Sequence, residues 1–152
     1  MIDILALDLA RVTGWACRNT NLEIFSGSID LGFIPDETLG AKLLRFERWL
    51  ASIAIMEPGG LVVCERAHHR GGAATRQALG MEACLEIFAY KNDCNLEYVH
   101  TGTLKKHATG SGCSKKPAII AAAKERWPDI VIEDDNHADA LWLLNWGEKH
   151  NR

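Results

Sequence analysis

The chain contains no apolar run near the roughly 20 residues needed to span a bilayer. Its start has no basic segment leading into an apolar stretch and a small-residue cleavage site, so no secretion signal is expected. Cys-x-x-Cys is absent. The five cysteines (Cys17, Cys64, Cys84, Cys94, Cys113) are odd in number and widely spaced, which argues against a disulfide framework and a zinc site. They are expected to be mostly small core hydrophobes in a reducing cytoplasm. There is no G-x-x-x-x-G-K-[ST] run either, so Gly71-Gly72 and Gly110-x-Gly112 read as flexible loops, not a phosphate cradle. No repeat, low-complexity tract or linker interrupts the 152 residues, a length that suits one domain with a real core.

Two long stretches lack acids altogether. Arg66–Met81 holds three arginines and two histidines, and Tyr98–Pro117 holds four lysines and two histidines. The net charge of −3 argues against a general nucleic-acid coat protein. Acids gather elsewhere, notably over Asp129–Asp139. This segregation allows a basic rim around an acidic pocket.

What is present centres on Ile2–Thr13. Six of the seven residues before Asp8 are apolar, the pattern of a strand buried on both faces. A carboxylate beside such a strand is costly unless it is paired or binds a metal. Leu61–Glu65 is a second short apolar strand ending in an acid. Asp134-Asp135-Asn136-His137-Ala138-Asp139 runs acids into an apolar helix. Convergence of these three places on divalent metal ions is the expectation.

Thr13–Arg18 and Leu22–Asp30 read as two more strands, joined by Asn19-Thr20-Asn21; the first three strands should be antiparallel neighbours. Glu37–Met56 has apolar residues at spacings of three and four, an amphipathic helix, ended by Glu57-Pro58-Gly59-Gly60. A helix is expected over Ala73–Tyr90 with Leu79, Ala83, Ile87 and Tyr90 on its stripe, then a strand at Leu96–Val99 and a short helix at Thr103–Ala108. Ser114 is the expected N-cap of a helix Lys115–Trp127, stopped by Pro128. Asn136 or Asp135 should cap the last helix, which runs to about Glu148.

Taken together, Ala6-Leu7-Asp8-Leu9-Ala10-Arg11-Val12-Thr13-Gly14-Trp15, Val62-Val63-Cys64-Glu65, Leu104-Lys105-Lys106 with Thr109-Gly110-Ser111-Gly112 and Lys115-Lys116, and Asp139-Ala140-Leu141 resemble the RuvC family of Holliday junction resolvases. The resemblance spans nearly the whole chain and looks closest to the compact RuvC-like enzymes of bacteriophages. It implies an α/β, RNase H-like fold: a five-stranded mixed sheet, first three strands antiparallel, flanked by helices. It also implies a homodimeric crossover junction endodeoxyribonuclease that uses Mg²⁺ or Mn²⁺, two ions per active site, on branched DNA. In the family the acid at the end of the first strand bridges two metals, and Asp8 matches it, although the usual Pro-Gly that follows is replaced by Leu9-Ala10. Glu65 and Asp139 match the second and last acids. The fourth ligand is open: Asp135 is favoured, with Asn136 or His137 as substitutes, and Asp134 reads as a solvated acid.

Lys105, Lys106, Lys115 and Lys116 sit where family lysines contact DNA, and Lys115 or Lys116 is the candidate nearest the scissile phosphate. Arg66, His68, His69 and Arg70 form the loop where the family carries a side chain that wedges into the junction; either a histidine stacks there on an unpaired base or this is an ordinary solvent loop. Hard cations such as Mg²⁺ take oxygen ligands, and two of them about 4 Å apart can serve both the attacking and the leaving oxygen. Two other readings stand beside this one. Asp8 followed by Thr13-Gly14 is also similar to the first phosphate loop of actin-like ATPases, which have two such domains and a second loop that 152 residues do not accommodate. The other is a module that binds branched DNA without cutting it.

Overall fold

The computed structural model describes residues 1–66 and 71–150. Strands β1 (Ile2–Asp8), β2 (Val12–Asn19) and β3 (Ile24–Asp30) are followed by helix α1 (Leu39–Ile53), strand β4 (Met56–Glu65), helix α2 (Gly72–Lys91) and strand β5 (Asn95–Val99). Helices α3 (Thr101–Thr109), α4 (Lys116–Arg126) and α5 (Asp135–His150) complete the order. The strands form one sheet in the order β3-β2-β1-β4-β5. β1–β2 and β2–β3 pair antiparallel, β1–β4 and β4–β5 parallel, the expected RNase H-like arrangement.

Side chains alternate across a strand, and β1 uses both faces. Ile4 and Ala6 join a core with Ala16, Val63 and the α5 residues Ala138, Leu141 and Leu144. Leu5 and Leu7 face the other way, into a core with Val62, Cys64, the α1 residues Phe46 and Leu50, and the α2 residues Met81 and Leu85. Helix α5 is apolar nearly all round because the sheet lies beneath it and α3 and α4 pack against it. The edge strand β3 is covered where Glu133 accepts hydrogen bonds from the Ser28 N–H (2.9 Å) and hydroxyl (2.8 Å), which blunts the pairing hazard of an open edge.

Four local expectations are corrected. β4 begins at Met56, not Leu61: the register jumps from Ile2↔Met56 to Ile4↔Leu61, so Glu57-Pro58-Gly59-Gly60 is an irregularity within the strand rather than a helix end. Helix α2 turns Met81, Leu85 and Ala89 inward and leaves Leu79, Ala83, Ile87 and Tyr90 exposed. This helix is apolar on more than one side, and the lack of a side chain at Gly80 lets Leu43 of α1 choose the packed one; a β-carbon there would lie 2.8 Å from Leu43. Lys115, not Ser114, is the cap residue of α4, because the Ser114 hydroxyl is bonded to Thr109 at 2.5 Å. Asp134 is not a free solvated acid: its carboxylate accepts from the His137 N–H at 2.8 Å and caps α5, the role expected of Asn136 or Asp135.

Candidate active site at the strand ends

The same alternation that buries Ile4 and Ala6 against α5 aims Asp8 toward that helix, and Leu61, Val63 and Glu65 repeat the pattern on β4. Leu7 pairs with Cys64, so the two acids leave neighbouring strands at the same level. Just past Asp8 the chain reverses, and the Thr13 hydroxyl closes the turn by donating to the Ala10 carbonyl at 2.7 Å. β2 then places Gly14 opposite Asp8. A β-carbon on Gly14 would lie 1.8 Å from the Asn136 carbonyl oxygen. The missing side chain is what admits the first turn of α5 over the strand ends, and with it Asp135 and Asp139, one turn apart on one face.

Asp8, Glu65, Asp135, Asn136 and Asp139 thereby line one cavity of about 230 Å³ with Thr101, Leu104, Lys105, Lys116 and Ile119. Burial, then the charges of Glu65, Asp139 and Asp135, push the Asp8 carboxyl well above its ordinary range, with Lys116 opposing them. Asp139 is pushed up to about 7, by burial first and then by Glu65 and Asp135. Lys116 is paired with Asp135, a hydrogen bond that holds its ammonium charged. The Thr101 hydroxyl donates to Glu65 Oε1.

Among the described residues, no three histidine, cysteine, aspartate or glutamate side chains stand close enough together to hold an ion as placed. Repulsion explains the spacing: Glu65 turns to Thr101 and Asp135 to Lys116, leaving Asp8 and Asp139 to carry unfavourable burial. The donor chemistry fits a hard divalent cation. The acidic side chains offer oxygens only, and the chain itself leaves two half-buried carboxylates, Asp8 and Asp139, poorly neutralised.

Not every expected residue is here. His137 is buried in the core, where Nδ1 accepts from the Glu133 N–H at 3.2 Å and Nε2 lies 2.9 Å from the Ser26 hydroxyl. Both ring nitrogens are engaged, which removes it as a substitute ligand. Lys106 and Lys115 are exposed and do not line the cavity. Arg66 is exposed with its guanidinium 5.4 Å from the Tyr98 ring centre. His68, His69 and Arg70 lie outside the described residues. Reasoning from sequence missed Thr101 and the structural part played by Gly14; a glycine opposite an acid at a strand end was the available signal for the second.

The sheet order and the acids at its strand ends define an RNase H-like class of fold. No family model and no curated protein matches the sequence. Solved structures do match. Thermus thermophilus RuvC superposes with a TM-score of 0.72 at 12% identity, over 99% of this chain and 97% of that one. T. thermophilus RuvC in complex with Holliday junction substrate gives 0.71 at 13%, over 93% and 89%. The yeast mitochondrial Holliday junction resolvase, Ydc2, gives 0.58 at 14%, over 93% and 75%. The chain therefore folds as these resolvases fold.

Proposed function

We propose that the protein is a metal-dependent, structure-selective endonuclease that resolves four-way DNA junctions by paired nicks. One observation carries the reading: acids from β1, β4 and α5 line a single cavity with Lys105 and Lys116 on its wall. Fold likeness to a RuvC solved with a Holliday junction substrate supports the choice of DNA over another phosphodiester.

Asp8, Glu65, Asp139 and Asp135 would hold Mg²⁺ or Mn²⁺. Bound there, two such ions would activate water and stabilise the leaving oxygen, the chemistry of two-metal phosphodiester hydrolysis. Water adds across the P–O3′ bond, leaving a 5′-phosphate and a 3′-hydroxyl. Lys116 lines the same cavity, paired with Asp135, and its ammonium would neutralise charge on the scissile phosphate. Lys105 lines the cavity with it, and the exposed Lys106, Lys115 and Arg66 would contact the phosphates of the arms. Affinity for the junction should fall steeply with salt, since each phosphate neutralised releases counterions. A homodimer sets two such cavities against strands related by the junction's two-fold symmetry, and the exposed apolar stripe of α2 supports this assembly.

The open spacing of the acids favours a second reading, a module that binds branched DNA without cutting. Incubating the protein with a synthetic four-way junction in Mg²⁺ and in EDTA separates the two. Symmetric metal-dependent nicks are expected; retarded junction with no product in either buffer would favour the module.

A further inference from the structure

We propose that Thr101 is a positioning residue for Glu65: its hydroxyl holds one carboxylate oxygen so that the other is presented to the cavity. The inference rests on the nuclease reading and deepens it. Its basis is how two strands end. β4 and β5 run parallel with Glu65 opposite Val99, and the Arg66 N–H donates to the Val99 carbonyl at 2.9 Å. Two residues beyond Val99 the chain enters α3, and the Thr101 hydroxyl reaches back across to Glu65 Oε1. One strand thus delivers the carboxylate and its neighbour delivers the donor that fixes it. The bond is needed because the neighbouring charges of Asp8 and Asp139 would otherwise drive a long glutamate side chain out toward solvent, and ordering it again costs rotamer freedom.

The same bond registers α3 against the site. Lys105 lies one helical turn after Thr101, and both line the cavity. At the far end of α3, His107 Nε2 is 3.0 Å from Asn145 Oδ1 on α5. Helix α3 is therefore pinned to β4 at its first turn and to α5 at its last. Groups that orient metal ligands from outside commonly change metal affinity or activity by about 10–100-fold when removed.

The test compares Thr101→Val, which deletes the hydroxyl at nearly constant shape, with Thr101→Ser, which keeps it. Binding of Mn²⁺ alone is measured by titration calorimetry, and junction cleavage is measured across a range of Mg²⁺. For Thr101→Val the Mn²⁺ dissociation constant and the Mg²⁺ half-saturation should both rise by about 10-fold or more, with a smaller loss of rate at saturating metal. Thr101→Ser should return both close to wild type. If the melting curve shows Thr101→Val unfolded, Thr101→Ala replaces it in the comparison. Wild-type metal affinity and half-saturation in the variant lacking the hydroxyl, or no rescue by serine, overturns the role of Thr101. A wild-type protein that neither binds Mn²⁺ nor cuts would instead overturn the nuclease reading beneath it.

Discussion

Gly14 and Asn136 stand so close that a β-carbon on the glycine would meet the asparagine carbonyl oxygen at 1.8 Å. Backbone on backbone is a contact that no rotamer change relieves, so Gly14→Ala must push the first turn of α5 off the sheet. Overpacking of a close-packed interior costs about 1–3 kcal/mol, and the upper end or beyond is expected here by urea denaturation. Cleavage should be lost even where the variant stays folded, because Asp135 and Asp139 ride on the displaced turn. Normal cleavage by Gly14→Ala would show that α5 does not set the site.

Ionising Asp8 is unfavourable in the metal-free protein, because burial and then Glu65, Asp139 and Asp135 push its carboxyl well above the ordinary range against the opposing Lys116. Asp8→Asn should retain junction binding in EDTA, abolish cleavage in Mg²⁺, and raise the stability of the metal-free protein. Single stabilising substitutions commonly add about 0.5–2 kcal/mol, and a gain of that order should be readable as an upward shift in the denaturation midpoint. Cleavage at the wild-type rate would remove Asp8 from the metal assignment.

Metal stabilisation should depend on pH with a definite sign. Asp139 is protonated up to about 7 in the native state against 3.8 ordinarily. Across that window the folded protein holds a proton the unfolded chain has lost, so its contribution falls as pH rises and the penalty is complete above about 7. On the nuclease reading Mg²⁺ would replace the proton at higher pH and compete with it at lower pH. Excess Mg²⁺, which at a hundred times its dissociation constant adds about 2.7 kcal/mol, should raise the melting temperature clearly at pH 8 and hardly at pH 5. His107 and His137, both held below the ordinary histidine range by burial, destabilise as pH drops through about 6.5. They do so with and without metal and cancel in the comparison. An equal metal effect at both pH values would contradict the coupling.

His137 should behave as a core residue. Removing it takes a partner from the Glu133 N–H and the Ser26 hydroxyl, and a hydrogen bond is worth about 0.5–1.5 kcal/mol net. His137→Ala should lose at least that much stability while leaving Mn²⁺ affinity within a few-fold of wild type. A variant that folds normally but no longer binds Mn²⁺ would return His137 to the metal shell.

These contrasts show what a one-dimensional reading can carry. Strand ends are legible because burial on both faces leaves a continuous apolar run, and an acid closing such a run, as at Asp8 and Glu65, has few places to go. The acids that open α5 were marked by the apolar helix they run into, but Lys116 could be placed only through a family pattern, since nothing local marks a lysine as facing a carboxylate nineteen positions away. The partners of Glu65 and Asp135 were invisible because electrostatic repulsion between distant segments selects them. Packing choices were likewise hidden: Gly80 and Leu43 decide which side of α2 is buried, and the contact between them joins two helices far apart in the chain.

The side of α2 left out of the core makes the last prediction. Leu79 is 40% exposed, Ile87 52% and Tyr90 88%, and Ala83 lies open between them. These positions fall at i, i+4, i+8 and i+11, one stripe of a helix, with a small residue where a crossing helix could approach most closely. A two-fold axis through Ala83 would set the Leu79 end of one helix against the Ile87–Tyr90 end of the other, a self-complementary contact of the kind closed dimers require. Sedimentation should therefore report a species of twice the 16.8 kDa chain mass, and Leu79→Glu with Ile87→Glu should convert it to monomer without lowering the melting temperature by more than a few degrees. The monomer should still nick one strand of a junction in Mg²⁺ but no longer cut the two opposing strands within one encounter. Retention of the dimer by the double variant would place the interface elsewhere, and paired cutting by a proven monomer would break the link drawn here between assembly and resolution.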